Sequence, residues 1–201
     1  MLLTFSKKVG GPAAASTREC EFSVIPSNTQ TDPVVRPATP ADMPAVGRLG
    51  ALLVRTHHDF DQERFIAATP RTERSYASFL GGQLAEPNVV VLVAERGGEV
   101  LDYTYAALEG YDYMALRGPA GVLYDIVVDP DSRRQGLGRM LLNATVAALE
   151  AQGAPRVVLS TAERNESAQR LFARAGFRRT MIEMTREAGN RAPSEESGAE
   201  T

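Results

Sequence analysis

The stretch RRQGLG, residues 133–138, sets two glycines and two arginines between an apolar run, VLYDIVV at 122–128, and an amphipathic run, RMLLNATVAALEAQG at 139–153. Glycines where a strand becomes a helix let the chain turn tightly and let a ligand approach the main-chain amides. The first amides of a helix lack intrahelical acceptors, and the helix dipole favours an anion beside them. A phosphate group suits such a place. Arg133, Arg134 and Arg139 add positive charge around it, which favours a diphosphate over a lone carboxylate.

Two familiar phosphate schemes fit poorly. A Walker loop needs Gly-Lys-Ser or Gly-Lys-Thr, whereas Gly138 is followed by Arg139 and Met140. A dinucleotide fingerprint needs a small residue three positions after its second glycine, where Leu141 stands, and it opens a first βαβ unit instead of lying late in the chain. That reading stays open, as does an ordinary tight turn, which a bare G-x-G also makes.

The elements around this junction follow from periodicity. A short strand at 34–37 leads through a proline-punctuated turn into a helix from about Met43, with Asp42 as its cap and Pro44 in its first turn. A second helix covers RTERSYASFLGGQL, and two strands flank Gly97 and Gly98 as a hairpin. After the glycine loop, Leu137, Met140, Leu141, Ala144 and Ala148 form one helical face, stopped by Gly153 and Pro155. RVVLST is a strand, ESAQRLFARAG a helix capped by Asn165 and closed by Gly176, and FRRTMIEMT a final strand. Strands and helices in this order predict an α/β (α+β) domain with a mixed sheet under packed helices.

Composition bounds the rest. The 201 residues, 43% apolar, fill one core; the expected domain is 34–187, with polar, disordered tails at 1–33 and 188–201. A net charge of −3 argues against bulk nucleic-acid binding. The lone Cys20 makes no internal disulfide and points to a reducing, cytoplasmic compartment. The N-terminus is wrongly ordered for a signal peptide and no stretch reaches the length of a membrane span, so no membrane partner is expected.

The stretch IVVDPDSRRQGLGRMLL, followed by VVLSTAERNESAQRLFARAGF, resembles the acetyl-CoA-binding core of the GNAT superfamily of N-acetyltransferases. Arg133, Gly136 and Gly138 match its first signature; Asn165, Ala168, Leu171, Gly176 and Phe177 match the second. The resemblance is specific over about 122–186 and looser over 34–121. It implies a single domain with a central mixed, mostly antiparallel sheet flanked by helices. It also implies acetyl-CoA as cosubstrate, no metal, and a small-molecule or protein amine as acceptor; a homodimer through the sheet edge is common among similar proteins. Backbone groups of Ile126, Val127 and Val128 would pair with the pantetheine arm. Arg133 and the loop amides of Arg134, Gln135, Gly136, Leu137, Gly138 and Arg139 would cradle the pyrophosphate. Asn165 would hold pantetheine, or cap its helix near the Ala168 amide, and Ala168 and Phe172 complete the cofactor set.

In this family the amine attacks the thioester directly, so a neutral amine, an oxyanion donor and a proton for the thiolate are needed. The Val128 amide is the oxyanion candidate. Many relatives place a tyrosine acid where Phe172 stands, and an acidic base where Ser160 stands in those that modify protein amino termini. Both departures keep a catalytically impaired acyl-CoA sensor in view. Strand parity ranks replacements: Asp125 first, then Tyr124 and Glu183, the last as a partly buried carboxylate with a raised pKa. Parity puts Tyr124, Ile126 and Val128 on one face unless a bulge intervenes. Glu109 is expected near the pocket rim, and Tyr111, Tyr113 and Met114 either line the acceptor pocket or form a plain loop. Arg170, Arg174, Arg178 and Arg179 would meet a ribose phosphate or form a solvated face. His57 and His58 read as a solvated helix end, since adjacent helical residues face apart.

Overall fold

The computed structural model describes residues 32–189, which belong to one compact unit, Thr31–Thr201. Cys20 lies outside the described residues, as do the tails, apart from two residues at the inner end of each. Five strands form one sheet in the order β1 (Val34–Pro37), β2 (Val89–Arg96), β3 (Glu99–Glu109), β4 (Ala120–Val128) and β5 (Val157–Leu159). The first three pairings are antiparallel and the last is parallel, which makes the mixed, mostly antiparallel sheet that the family resemblance implies. Gly97 and Gly98 turn the β2–β3 hairpin with φ of 59° and 85°, the positive values that a two-residue turn matching strand twist demands.

Four helices cover the sheet: α1 (Met43–Phe60), α2 (Thr72–Gln83), α3 (Leu137–Ala151) and α4 (Glu166–Arg174). Val46, Leu49 and Leu80 from α1 and α2 pack with Val93, Tyr103 and Val127 on one face. Leu142 and Leu149 of α3 and Phe172 of α4 pack with Leu123 on the other. Each leucine sealed in this way contributes about 2 kcal/mol of transfer free energy, so α3 anchors the junction that the glycines open. The helices α1 and α2 approach closely because two positions of α1 lack side chains. A Cβ on Gly50 would stand 2.2 Å from Tyr76 Cδ1, and one on Gly47 would stand 2.4 Å from Glu73 O. Among the described residues no helix is long and apolar enough to cross a membrane.

Four local expectations are corrected. Asp42 does not cap α1; it accepts the amide and hydroxyl of Thr39 at 2.7 and 2.8 Å and both prongs of Arg36, which also grips Glu95. The Arg36 guanidinium holds the Asp42 carboxyl well below the usual carboxylate range. The buried stripe of α3 runs through Leu137, Leu141, Leu142, Thr145 and Leu149 and leaves Met140 exposed, because Thr145 earns its place by a 2.8 Å hydrogen bond to Thr104 of β3. The stretch 177–185 is not a strand, and Met181, Ile182 and Met184 stand exposed. Alternation makes a strand only where a partner edge lies alongside. Glu183 is therefore not buried: it pairs with Arg64 in solvent, and that guanidinium lowers its pKa instead of burial raising it.

Candidate active site

The register across β3 and β4 shifts within the site: Tyr105 faces Asp125, but Ala106 faces Leu123. Tyr124 is thus an extra residue in β4, a β-bulge of the kind that re-aims side chains next to active sites. Tyr124 stacks on Tyr105 at 4.9 Å, and Asp125 Oδ2 accepts the Tyr103 hydroxyl at 2.9 Å. Both side chains therefore stand on the α1–α2 side of the sheet. The face expected to hold Tyr124, Ile126 and Val128 together does not exist.

The bulge coincides with a parting of the strands. β5 pairs with β4 only from Gly121 to Leu123, while β4 runs on to Val128 with that edge unpaired. The Asp129 amide turns towards β3, to Leu101 O at 3.3 Å and Asp102 Oδ1 at 2.9 Å. By alternation along the strand, the Ile126 and Val128 amides face the gap. Val127, expected to touch the cofactor, is turned away: the same alternation directs its main chain to β3 opposite Tyr103, and its side chain is buried in the α1–α2 core.

A cavity of about 260 Å³ opens at this parting. Ile126, Asn165, Ala168 and Phe172 line one side, with Ser160 and Thr161 at the end of β5; His57, Phe65 and Tyr76 line the other, and Tyr124 and Asp125 lie between. Burial raises the Asp125 pKa, opposed by the Tyr103 hydroxyl and by nearby His57. Burial, with Asp125 close by, pushes Tyr76 up to about 12. Tyr124 is raised too, by burial and by Glu109, which accepts its hydroxyl and is held in turn by Arg117.

His57 is not a solvated helix end. Its Nδ1 lies 2.9 Å from Leu53 O; a carbonyl only accepts, so Nδ1 carries the proton and Nε2 of the neutral ring remains an acceptor. The signal was available in the helical phase, because position 57 follows in step with the buried Val46, Gly50 and Val54 of α1 and is itself partly buried. His58 turns to Phe65 O, and no metal-ligating cluster occurs among the described residues. Tyr111, Tyr113 and Met114 are 72–95% exposed and do not line this cavity. Arg170 pairs with Glu166, and Arg174, Arg178 and Arg179 are exposed.

At the far end of the gap, a 3-10 turn at Pro130–Ser132 leads to Arg134 at φ 64° and Gly136 at φ 85° before α3 begins. A Cβ on Gly136 would meet nothing within 4 Å, whereas one on Gly138 would stand 3.0 Å from Val128 Cγ2. The first glycine thus serves backbone conformation and the second serves close packing. Gly136 O takes the Arg139 and Met140 amides at 3.1 and 3.0 Å, leaving the Leu137 and Gly138 amides without an intrahelical acceptor. Gln135 is braced by Arg96 at 2.6 Å and Asp131 O at 3.1 Å. Arg133, Arg134 and Arg139 are exposed and bear no ion pair among the described residues. An unpaired strand edge leading to a cationic helix start fits an extended, amide-bearing ligand that ends in a diphosphate.

The model of the Acetyltransferase (GNAT) family matches residues 53–177. The chain belongs to the GNAT acetyltransferase family. Among curated GNAT relatives, a mycothiol acetyltransferase of Thermobispora bispora is 36% identical over 96 residues, 46% of this chain and 31% of that protein. A [ribosomal protein bS18]-alanine N-acetyltransferase of Salmonella typhimurium is 40% identical over 60 residues, 30% of this chain and 40% of that protein. The match thus spans well under half the length of either relative. Among solved GNAT-like structures, a GCN5-related N-acetyltransferase of Ralstonia eutropha aligns with a TM-score of 0.59 at 24% identity, over 79% of this chain and 100% of its own. An aminoglycoside N-acetyltransferase in complex with CoA aligns with a TM-score of 0.61 at 14% identity, over 80% and 97%. At such identities these structures establish the shared GNAT fold.

Proposed function

We propose that this chain transfers the acetyl group of acetyl-CoA to a primary amine by direct attack, without a covalent enzyme intermediate. The observation that carries this reading is the parting of β4 and β5, with a cationic helix start at one end and a partly buried carboxylate at the other. Acetyl-CoA supplies a thioester carbonyl that needs no metal or enzyme nucleophile to be attacked by nitrogen. The Ile126–Val128 edge pairs with the pantetheine amides, and the Val128 amide donates to the oxygen that gains charge. Arg133, Arg134, Arg139 and the amides from Gln135 to Gly138 hold the diphosphate, while Asn165, Ala168 and Phe172 bound the arm. Asn165 performs its capping duty as well, since its Oδ1 accepts the Ala168 amide at 3.2 Å.

An ammonium cannot attack, so the site must take a proton from an amine whose reference pKa is about 10. Asp125 faces the amine, and His57 Nε2 is the adjacent acceptor that passes the proton to solvent. As the C–N bond forms and the C–S bond breaks, the thiolate needs one proton. Phe172 offers none, and Tyr124 delivers one only by releasing Glu109. Glu183 plays no part, because it lies outside the cavity. The reading extends to a cytoplasmic enzyme, in keeping with the charge balance and the single cysteine.

The deciding experiment is calorimetric titration with acetyl-CoA, CoA and NADH, repeated on Gly136→Glu, followed by thiol release with a panel of amines at alkaline pH. Saturable acetyl-CoA binding that the variant abolishes, with amine-dependent thiol release, supports the reading; no binding by the folded wild type overturns it. The lack of a hydroxyl on Phe172 favours a second reading, an acyl-CoA sensor. It predicts tight binding and no turnover with any amine.

A further inference from the structure

We infer that the acceptor is a small primary amine bearing one positive charge on an apolar body, aromatic or branched, held at Asp125. This rests on the acetyl-transfer reading for its chemistry, although the cation site stands on its own geometry. The side of the cavity away from the cofactor arm is made by Leu53, Val54, His57, Phe65, Ile66 and Tyr76. None of these is an acid, and Asp125 is the one carboxylate among the described residues of the lining. Asp125 is partly buried, and its one hydrogen-bond donor among the described residues is the neutral Tyr103 hydroxyl. His57 stands nearby, but its Nδ1 is committed to Leu53 O, so no cation is hydrogen-bonded to this partly buried carboxylate and a place for one is left at it. An ammonium entering the cavity supplies that cation.

The same inventory argues against other amines. A polyamine or aminoglycoside brings several charges, and each one beyond the first would be desolvated without a partner. A sugar amine brings a ring of hydroxyls, for which this wall offers the His57 ring and the Tyr76 hydroxyl and little else. Outward from the lining, Ile66 is 79% exposed, and Tyr124, its hydroxyl bound to Glu109, continues through Tyr105 to Phe79 as an aromatic row with centroid spacings of 4.9 and 5.8 Å. A peptide amine would have to lay its polar backbone across that row.

The test uses the full chain with 2-phenylethylamine, spermidine, glucosamine and a lysine-bearing peptide. Thiol release is measured at saturating acetyl-CoA, and 2-phenylethylammonium binding is measured separately by calorimetry. The expected result is a kcat/KM for 2-phenylethylamine at least about tenfold above the others, and an affinity that Asp125→Asn lowers by roughly 100-fold, the loss of one desolvated ion pair. The exposed variant Ile66→Asp, which adds a second acid at the mouth, is expected to move preference several-fold towards spermidine with acetyl-CoA affinity unchanged. Acetyl-CoA binding with spermidine, glucosamine or the peptide as the better acceptor overturns this inference and leaves acetyl transfer standing. Acetyl-CoA binding with no measurable 2-phenylethylammonium binding does the same. If acetyl-CoA fails to bind while 2-phenylethylammonium binds and Asp125→Asn abolishes it, the transfer reading falls and the cation site is upheld.

Discussion

The two sides of the cavity are built in opposite ways. The proposed cofactor side comes from two short, nearly continuous stretches, 126–139 and 165–172, each of which folds on a strand or helix start that its own residues specify. The acceptor side draws on the end of α1, the connection after it, the face of α2 and a bulge in β4, elements joined only by tertiary packing. Local chemistry therefore writes one half, and the meeting of distant segments writes the other. Substitutions should separate the two halves cleanly, and that separation is what experiments can break.

The largest effect is expected from Gly136→Glu. A left-handed φ of 85° costs a residue with a Cβ about 1–2 kcal/mol, and the new carboxylate faces the diphosphate. Acetyl-CoA affinity measured by calorimetry should fall beyond detection, while amine binding persists. Next comes Asp125→Asn, which should raise KM for the amine by an order of magnitude or more and leave acetyl-CoA affinity within about twofold. Burial lifts the Asp125 pKa, so the carboxylate ionises only above the usual range. In pH profiles of kcat/KM the acid limb should lie correspondingly high in wild type and flatten in the variant. An equal fall in cofactor affinity would show that the halves are not separable.

Gly50→Ala should be smaller. A methyl 2.2 Å from the Tyr76 ring forces α2 outward, at a cost of about 1–3 kcal/mol in stability, read by thermal unfolding, with the amine KM raised and cofactor binding kept. Asp102→Asn probes the base of the cofactor side. Asp102 is fully buried in β3, its Oδ2 has no partner among the described residues, and burial pushes its pKa up to about 6. A carboxyl whose folded value exceeds its unfolded one contributes stability that is complete below about pH 4 and lost as pH rises through about 6. The variant should therefore be more stable than wild type at pH 8, by no more than about 3 kcal/mol, with the gain gone at pH 4, as thermal unfolding at the two pH values will show. Smallest of all, Glu183→Gln should change neither turnover nor either affinity by more than about twofold, as befits an exposed ion pair.

Legibility followed the same division. The start of α1, the Gly97–Gly98 turn, the Asn165 cap and the glycine loop each depend on a few adjacent residues, and the sequence displays them. The bulge at Tyr124 depends on how β3 and β4 align, which strand parity alone does not register. His57 is hidden by its neighbour: beside His58 it reads as part of a solvated helix end, and only the helical phase it shares with Val54 betrays its place in the cavity. The final segment misled because Phe177, Met181 and Glu183 alternate as a strand would, yet alternation says nothing about whether an edge is there to receive it. The middle of α3 misled in the reverse sense, since Thr145 looks polar until Thr104 is found opposite.

The sheet is held between β4 and β5 by only three residue pairs, after which β4 presents bare main chain to a gap. A thioester ligand lying there would act as a short substitute strand, closing a ladder that the polypeptide leaves open. Its arrival would then be felt as consolidation of the whole fold: amide hydrogens of Ile126 and Val128, quick to exchange in the free protein, should become slow, and β5 with α4 should fray less. The molecule is in that sense unfinished until it is loaded.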